Sequence, residues 1–158
     1  MINIKNRQRK IKLDIKDIEF WVSTILKFLN YQKFDIGILI TNDKSIRKYN
    51  RDFRFKDKAT DVLSFPFYPN LKPKNKIVPL FQDDYNLGDI ILSAEYIYRD
   101  SLKYGISFND RLKIIIIHGI CHLLGYDHID DKDFRVMRKK ELSILKYLNN
   151  EISKDIKQ

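Results

Sequence analysis

An α+β fold, with one small mixed sheet of about four strands covered by helices, is what this 158-residue sequence predicts. Three observations carry the expectation. Short apolar runs of strand length alternate with longer segments of helical spacing. Capping residues and glycine stops bracket the helical segments. All four prolines gather in one stretch, and no repeat or interdomain linker interrupts the rest, so residues 1–158 are expected to form a single domain.

Taken in order, Ile2 to Lys5 reads as a short strand, and Asp17 to Leu29 places Ile18, Trp21, Val22, Ile25, Leu26 and Leu29 on one helical stripe. Phe34 to Thr41 is a mostly apolar strand. Asn42 and Asp43 then offer caps for a helix reaching about Phe53. Asp61 to Phe65 forms a strand stopped by Pro66, and Pro66, Pro69, Pro73 and Pro79 make the following segment a long loop. Leu87 to Leu92 is the last strand, and Ser93 caps a helix that stops at Gly105. Ser107 and Asp110 resemble a capping box opening SFNDRLKIIIIHGICHLLG. Its four isoleucines suit a buried strand equally well; length and flanking signals decide for a central helix buried on most sides. A final amphipathic helix from about Asp131 to Asn149 turns Phe134, Met137, Leu142, Leu145 and Leu148 inward.

The formal charge of +9 attracts polyanions, nucleic acid among them, although an excess of lysine also arises from biased codon usage. The first thirty residues are interrupted by charges and no apolar run approaches bilayer length, which predicts a soluble cytoplasmic protein with no membrane partner. Cys121 is the single cysteine, so no intramolecular disulfide or all-cysteine metal site is available.

All three histidines fall within the eleven residues HGICHLLGYDH. On a helix His118 and His122 share one face a turn apart, and Gly125 can take the left-handed conformation that brings His128 back toward them. Three neutral nitrogens with a fourth position left to water form the open arrangement of catalytic zinc, so one zinc ion is expected on this central helix. A single histidine on an apolar helix would more simply be a core residue; three that converge are not. The spacing matches that of metzincin peptidases, but those place a glutamate base directly after the first histidine, where this chain has Gly119.

HGICHLLGYDH resembles the signature of the YbeY family of endoribonucleases, bacterial rRNA maturation factors with the pattern His-Gly-x-Leu-His-Leu-x-Gly-Tyr-Asp-His. YNRDFRFKDKATDVLSFPF from Tyr49 to Phe67 and LGDIILS from Leu87 to Ser93 are similar to two further family blocks, and Met137 and Glu141 stand where the family tends to place such residues. The likeness runs from about Ile38 to Leu145. Cys121 replaces the usual leucine and Ala59 a common proline; neither removes a ligand. Cys121 lies about 100° around the helix from His122 and is expected to pack as a small hydrophobe instead of serving as a thiolate ligand. The resemblance implies a zinc ion, single-strand-specific endoribonuclease activity, 3′-end maturation of small-subunit 16S ribosomal RNA, and ribosome quality control.

Between Lys44 and Lys58 there are seven basic residues against two acids, and Lys44, Arg47, Lys48 and Arg51 share one helical face opposite Ile46, Tyr49 and Phe53, the stripe this helix is expected to bury. Such a stripe is usually a solvated face. Because it leads into Arg54, which matches an arginine the resembled family carries, it is read here as an RNA phosphate contact, with Arg54 stabilising charge on substrate or transition state. Asp127 has two readings, orienting a ligand histidine or acting as general base. Asp61 and Ser64 resemble family residues whose roles do not separate substrate contact from sheet structure. The expected partners are single-stranded RNA and ribosomal RNA or the ribosome, with no DNA. Two alternatives stay open: a zinc metallopeptidase, and a non-catalytic ribosome-assembly factor with a structural zinc.

Overall fold

The structure is a computed structural model describing residues 1–158. Its elements are β1 (Ile2–Asn6), α1 (Ile15–Phe28), β2 (Asp35–Thr41), α2 (Asp43–Arg54), β3 (Val62–Pro66), β4 (Asn86–Ser93), α3 (Ala94–Tyr104), α4 (Phe108–Leu123) and α5 (Asp131–Ile156), with a 3₁₀ turn at Gln82–Asp84. The strands form one mixed sheet in the order β1-β2-β4-β3. β1 and β4 flank β2 in parallel, and β3 runs antiparallel along β4.

Side chains alternate across a strand, and here that alternation sorts two unequal cores. Ile36, Ile38 and Ile40 of β2, with Ile90 and Leu92 of β4, join a large cluster supplied by α1, α3, α4 and α5. Leu63 and Ile91 turn to the other face, where Ile46 of α2 meets them. Most of the apolar surface removed from water lies on the first side, so α2 is a single helix laid on the sheet's outer face. No helix is long and apolar enough to cross a membrane.

Caps explain where the helices begin. Asp14, Asn42, Ser93, Ser107 and Asp130 each accept a backbone N–H of the first turn of α1, α2, α3, α4 and α5 respectively. The isoleucine run belongs to α4, with Ile115, Ile116 and Ile117 all buried. Two expectations about inward faces need correction. On α5, Phe134 is 56% exposed and Leu142 is 48% exposed; Met137, Ile144 and Leu148 are the buried residues, because the stripe facing α1 and α4 follows the 137-144-148 spacing. On α2, Phe53 is 61% exposed, since the small outer core closes over Ile46 one turn and more before it. Helix α5 also continues to Ile156, beyond the expected end at Asn149.

Candidate metal centre

Helix α4 is held hard against the sheet at Gly119. A Cβ added there would stand 3.0 Å from Ile90 Cδ1 and 3.3 Å from Val62 Cγ2, so a glycine sets how closely the helix approaches β4 and β3. Ser64 Oγ on β3 donates to the Gly119 carbonyl at 3.2 Å, tying strand to helix at the same point. His118 and His122, a turn apart on the same helix, line a groove beside this contact.

In that groove one nitrogen from each of His118, His122 and His128 lies within 4.8 Å of the other two, an arrangement that could hold a metal ion. His118 Nε2 and His122 Nε2 face each other at 3.1 Å. Tetrahedral coordination at about 2.0–2.1 Å separates ligand nitrogens by about 3.3 Å, so this pair already stands close to the required spacing. On its other side His118 Nδ1 donates to Glu141 Oε2 of α5 at 3.0 Å. A carboxylate only accepts, so the proton sits on Nδ1 and the Nε2 lone pair is left for a metal. Burial, reinforced by the charges of His118 and His128, pushes the His122 pKa down to about 4. The ring is therefore neutral at pH 7, the form that ligates. The donor set thus fits a metal in number, tautomer and charge.

The third ligand depends on backbone geometry. Gly125 has φ +89°, and a Cβ there would stand 2.2 Å from the Leu71 carbonyl oxygen, so only glycine both makes the turn and lets the segment between β3 and β4 pack on it. Beyond it, Asp127 accepts the His128 N–H at 2.8 Å, fixing the turn that carries His128. Cys121 takes no part in the cluster. It is buried in the large core, and burial pushes its thiol up to about 12.

The groove has a volume of about 1010 Å³, and the histidines share it with Arg54, Lys56, Lys58 and Lys72. Arg54 Nη2 donates to the Ser64 carbonyl, and its guanidinium lies 5.4 Å from the centre of the Phe65 ring, so β3 holds the arginine from below. Ser64 is therefore bonded to both walls, through its backbone to Arg54 and through its side chain to α4. Asp61 and Asp127 also line the groove. The basic stripe lies outside it. Lys44, Arg47, Lys48 and Arg51 are all exposed on α2, with Arg47 paired to Asp57 at 2.9 Å and Arg51 to Asp52 at 3.1 Å. Lys56, Lys58 and Lys72 stand out in the sequence only as charge or as loop; no spacing rule brings residues of two separate segments into one groove.

Residues 3–149 match the model of a family described as Endoribonuclease YbeY. A human protein named Endoribonuclease YbeY is 40% identical over 142 residues, 90% of this chain and 84% of its own length. The protein of that name from Caldicellulosiruptor bescii is 39% identical over 150 residues, covering 91% of this chain and 94% of its own. A Thermotoga maritima protein of known solution structure shares the fold, with a TM-score of 0.66 at 24% identity, over 98% of this chain and 93% of its own. A fit of this extent, in sequence and in backbone, places the chain in the Endoribonuclease YbeY family.

Proposed function

We propose that this chain is a zinc-dependent endoribonuclease that prefers single strands and processes ribosomal RNA in the cytoplasm, at the 3′ end of the small-subunit 16S species. The carrying observation is the convergence of three histidine nitrogens in a groove whose walls present Arg54, Lys56, Lys58 and Lys72. His118, His122 and His128 would hold the ion. When bound, zinc supplies Lewis-acid chemistry, acidifying water and drawing charge from phosphoryl oxygens.

The chain's own residues do the rest. Arg54 commits one donor to Ser64 and keeps its remaining N–H groups for a phosphate, where a planar fork binds two oxygens at once. The three lysines attract the backbone on either side. Glu141 orients the His118 ring and Asp127 the turn of His128. With every histidine in the ligand set, none is left to deprotonate a 2′-hydroxyl, so the nucleophile in this reading is water. The outer stripe of Lys44, Arg47, Lys48 and Arg51 adds a weaker, non-specific pull on longer RNA.

The two alternatives are less well supported. A peptidase of matching spacing needs a glutamate at position 119, where this chain has glycine and where an added Cβ would stand only 3.0 Å from Ile90 Cδ1. A structural zinc needs a fourth protein ligand, whereas the cluster contains three histidines and the one cysteine is buried as a neutral thiol. The test incubates zinc-loaded protein with single-stranded RNA, duplex RNA, single-stranded DNA and an unfolded protein, before and after chelation. Chelation-sensitive cleavage of single-stranded RNA alone is expected, abolished when any one of the three histidines is changed to alanine. Cleavage of RNA by a histidine variant that no longer binds metal would overturn the reading. An RNA with one 2′-deoxy nucleotide 5′ of the scissile phosphate should still be cut.

A further inference from the structure

Phe55 ends α2 in a conformation that a phenylalanine rarely adopts. Its backbone lies in the left-handed region, φ 60° and ψ 31°, and its side chain is 92% exposed. Both facts are unfavourable. A bulky residue at positive φ is strained by contact between its Cβ and the backbone, where glycine would not be. A nearly fully exposed aromatic ring gains nothing from the core. Nothing in the packing of α2 asks for a ring here, since Phe55 belongs to neither apolar cluster. Yet its neighbours on both sides, Arg54 and Lys56, line the groove that holds the three histidines.

We propose that Phe55 is a stacking platform for a nucleobase of the single-stranded substrate, carried by the chain between Arg54 and Lys56, two cations of the groove lining. This inference rests on the RNA reading above and assigns a positioning contact within it. A base stacks on an aromatic face whatever its identity, so the contact contributes affinity without sequence preference. It also favours single strands, because a base paired within a duplex has no free face to offer. The ring stands in solvent, where a base can cover it. The left-handed backbone itself closes the helix, since the Phe55 N–H donates to the Arg51 carbonyl and the Lys56 N–H to that of Asn50, both at 3.2 Å; what the proposal accounts for is a ring, instead of a glycine, standing exposed at that position.

The test compares the zinc-loaded wild type with Phe55→Gly, Phe55→Leu and Phe55→Trp, using a short fluorescent single-stranded oligoribonucleotide and the same oligomer carrying abasic positions. Phe55→Gly should melt at a higher temperature than the wild type, since glycine suits the conformation, while binding the oligomer about tenfold more weakly. Phe55→Leu, which keeps an apolar side chain but no ring face, should bind as weakly as Phe55→Gly. Phe55→Trp should bind at least as tightly as the wild type, with its indole fluorescence quenched by RNA. The effect in each weakened variant should appear in KM with kcat unchanged, and should vanish on an oligomer with abasic positions along the groove mouth. Wild-type affinity in both Phe55→Gly and Phe55→Leu would overturn the platform and leave the nuclease reading intact. Absence of RNA binding by the wild type would overturn both.

Discussion

Glu141 Oε2 lies 3.0 Å from His118 Nδ1, so a carboxylate on the last helix sets the tautomer of a histidine 23 residues earlier in the chain, one of the three that could hold a metal ion. Removing it should free the imidazole to rotate and to carry its proton on the wrong nitrogen. Glu141→Ala is expected to weaken metal binding by roughly 10–100-fold with the far-ultraviolet spectrum unchanged, and Glu141→Gln, which keeps an acceptor oxygen, by less. Competition against a chromophoric chelator reads the affinity directly. Equal affinity in all three proteins would sink this role.

Arg54 and the groove lysines should separate into two kinetic classes. Arg54→Ala is expected to lower kcat about a hundredfold with little change in RNA affinity, as for removal of a donor aimed at developing charge. Changing Lys56, Lys58 and Lys72 together to glutamine should instead weaken binding and flatten the plot of log affinity against log salt by about 2, at roughly 0.7 for each single-strand phosphate no longer neutralised. The fourfold change of Lys44, Arg47, Lys48 and Arg51 should flatten it less, because Arg47 and Arg51 already hold Asp57 and Asp52. A steeper effect from the outer stripe than from the groove would reverse the assignment of the RNA path.

His122 makes the metal-free protein sensitive to acid. Its pKa is pushed from 6.5 to about 4 in the fold, so between those values the unfolded chain takes up a proton that the folded chain refuses. The contribution is complete above about pH 6.5 and declines as the pH falls toward 4. Urea midpoints measured across that range should fall more steeply for the wild type than for His122→Asn. Parallel curves for the two proteins would show that the buried ring charges freely.

Cys121 should be silent in the native state. With its thiol buried and pushed up to about 12, almost no thiolate exists at pH 8, and alkylation by iodoacetamide should occur only on unfolding. Rapid modification of the folded, metal-loaded protein would show that α4 opens locally.

Much of this was legible in the residues because the signals were local. Apolar spacing and caps located every strand and helix, and His118, His122 and His128 lie on one helix and the turn that leaves it. What escaped was set by packing across the chain. Phe134 and Leu142 fit an amphipathic stripe, but the partner helices meet α5 along Met137, Ile144 and Leu148. The groove lysines come from segments joined only by folding, and the position of Arg54 depends on a carbonyl ten residues later. Glu141 is visible as a matching residue in the family pattern, yet its bond to His118 follows from the packing of α5 on α4.

The position of β3 at the end of the sheet carries a consequence for solubility. Its ladder to β4 uses Asp61, which accepts from Ser93, and Phe67, which donates to Leu87, so the Ser64 carbonyl between them points outward along the open edge. An exposed strand edge is a template for intermolecular β-pairing, and a cation laid on it is a standard protection against that fate. Arg54 occupies the outward carbonyl, and Pro66 closes the strand with a residue that has no N–H to donate. The same arginine that lines the histidine groove therefore also covers this edge against β-pairing with another chain, and its removal should show as aggregation in concentrated solution well before the fold itself gives way.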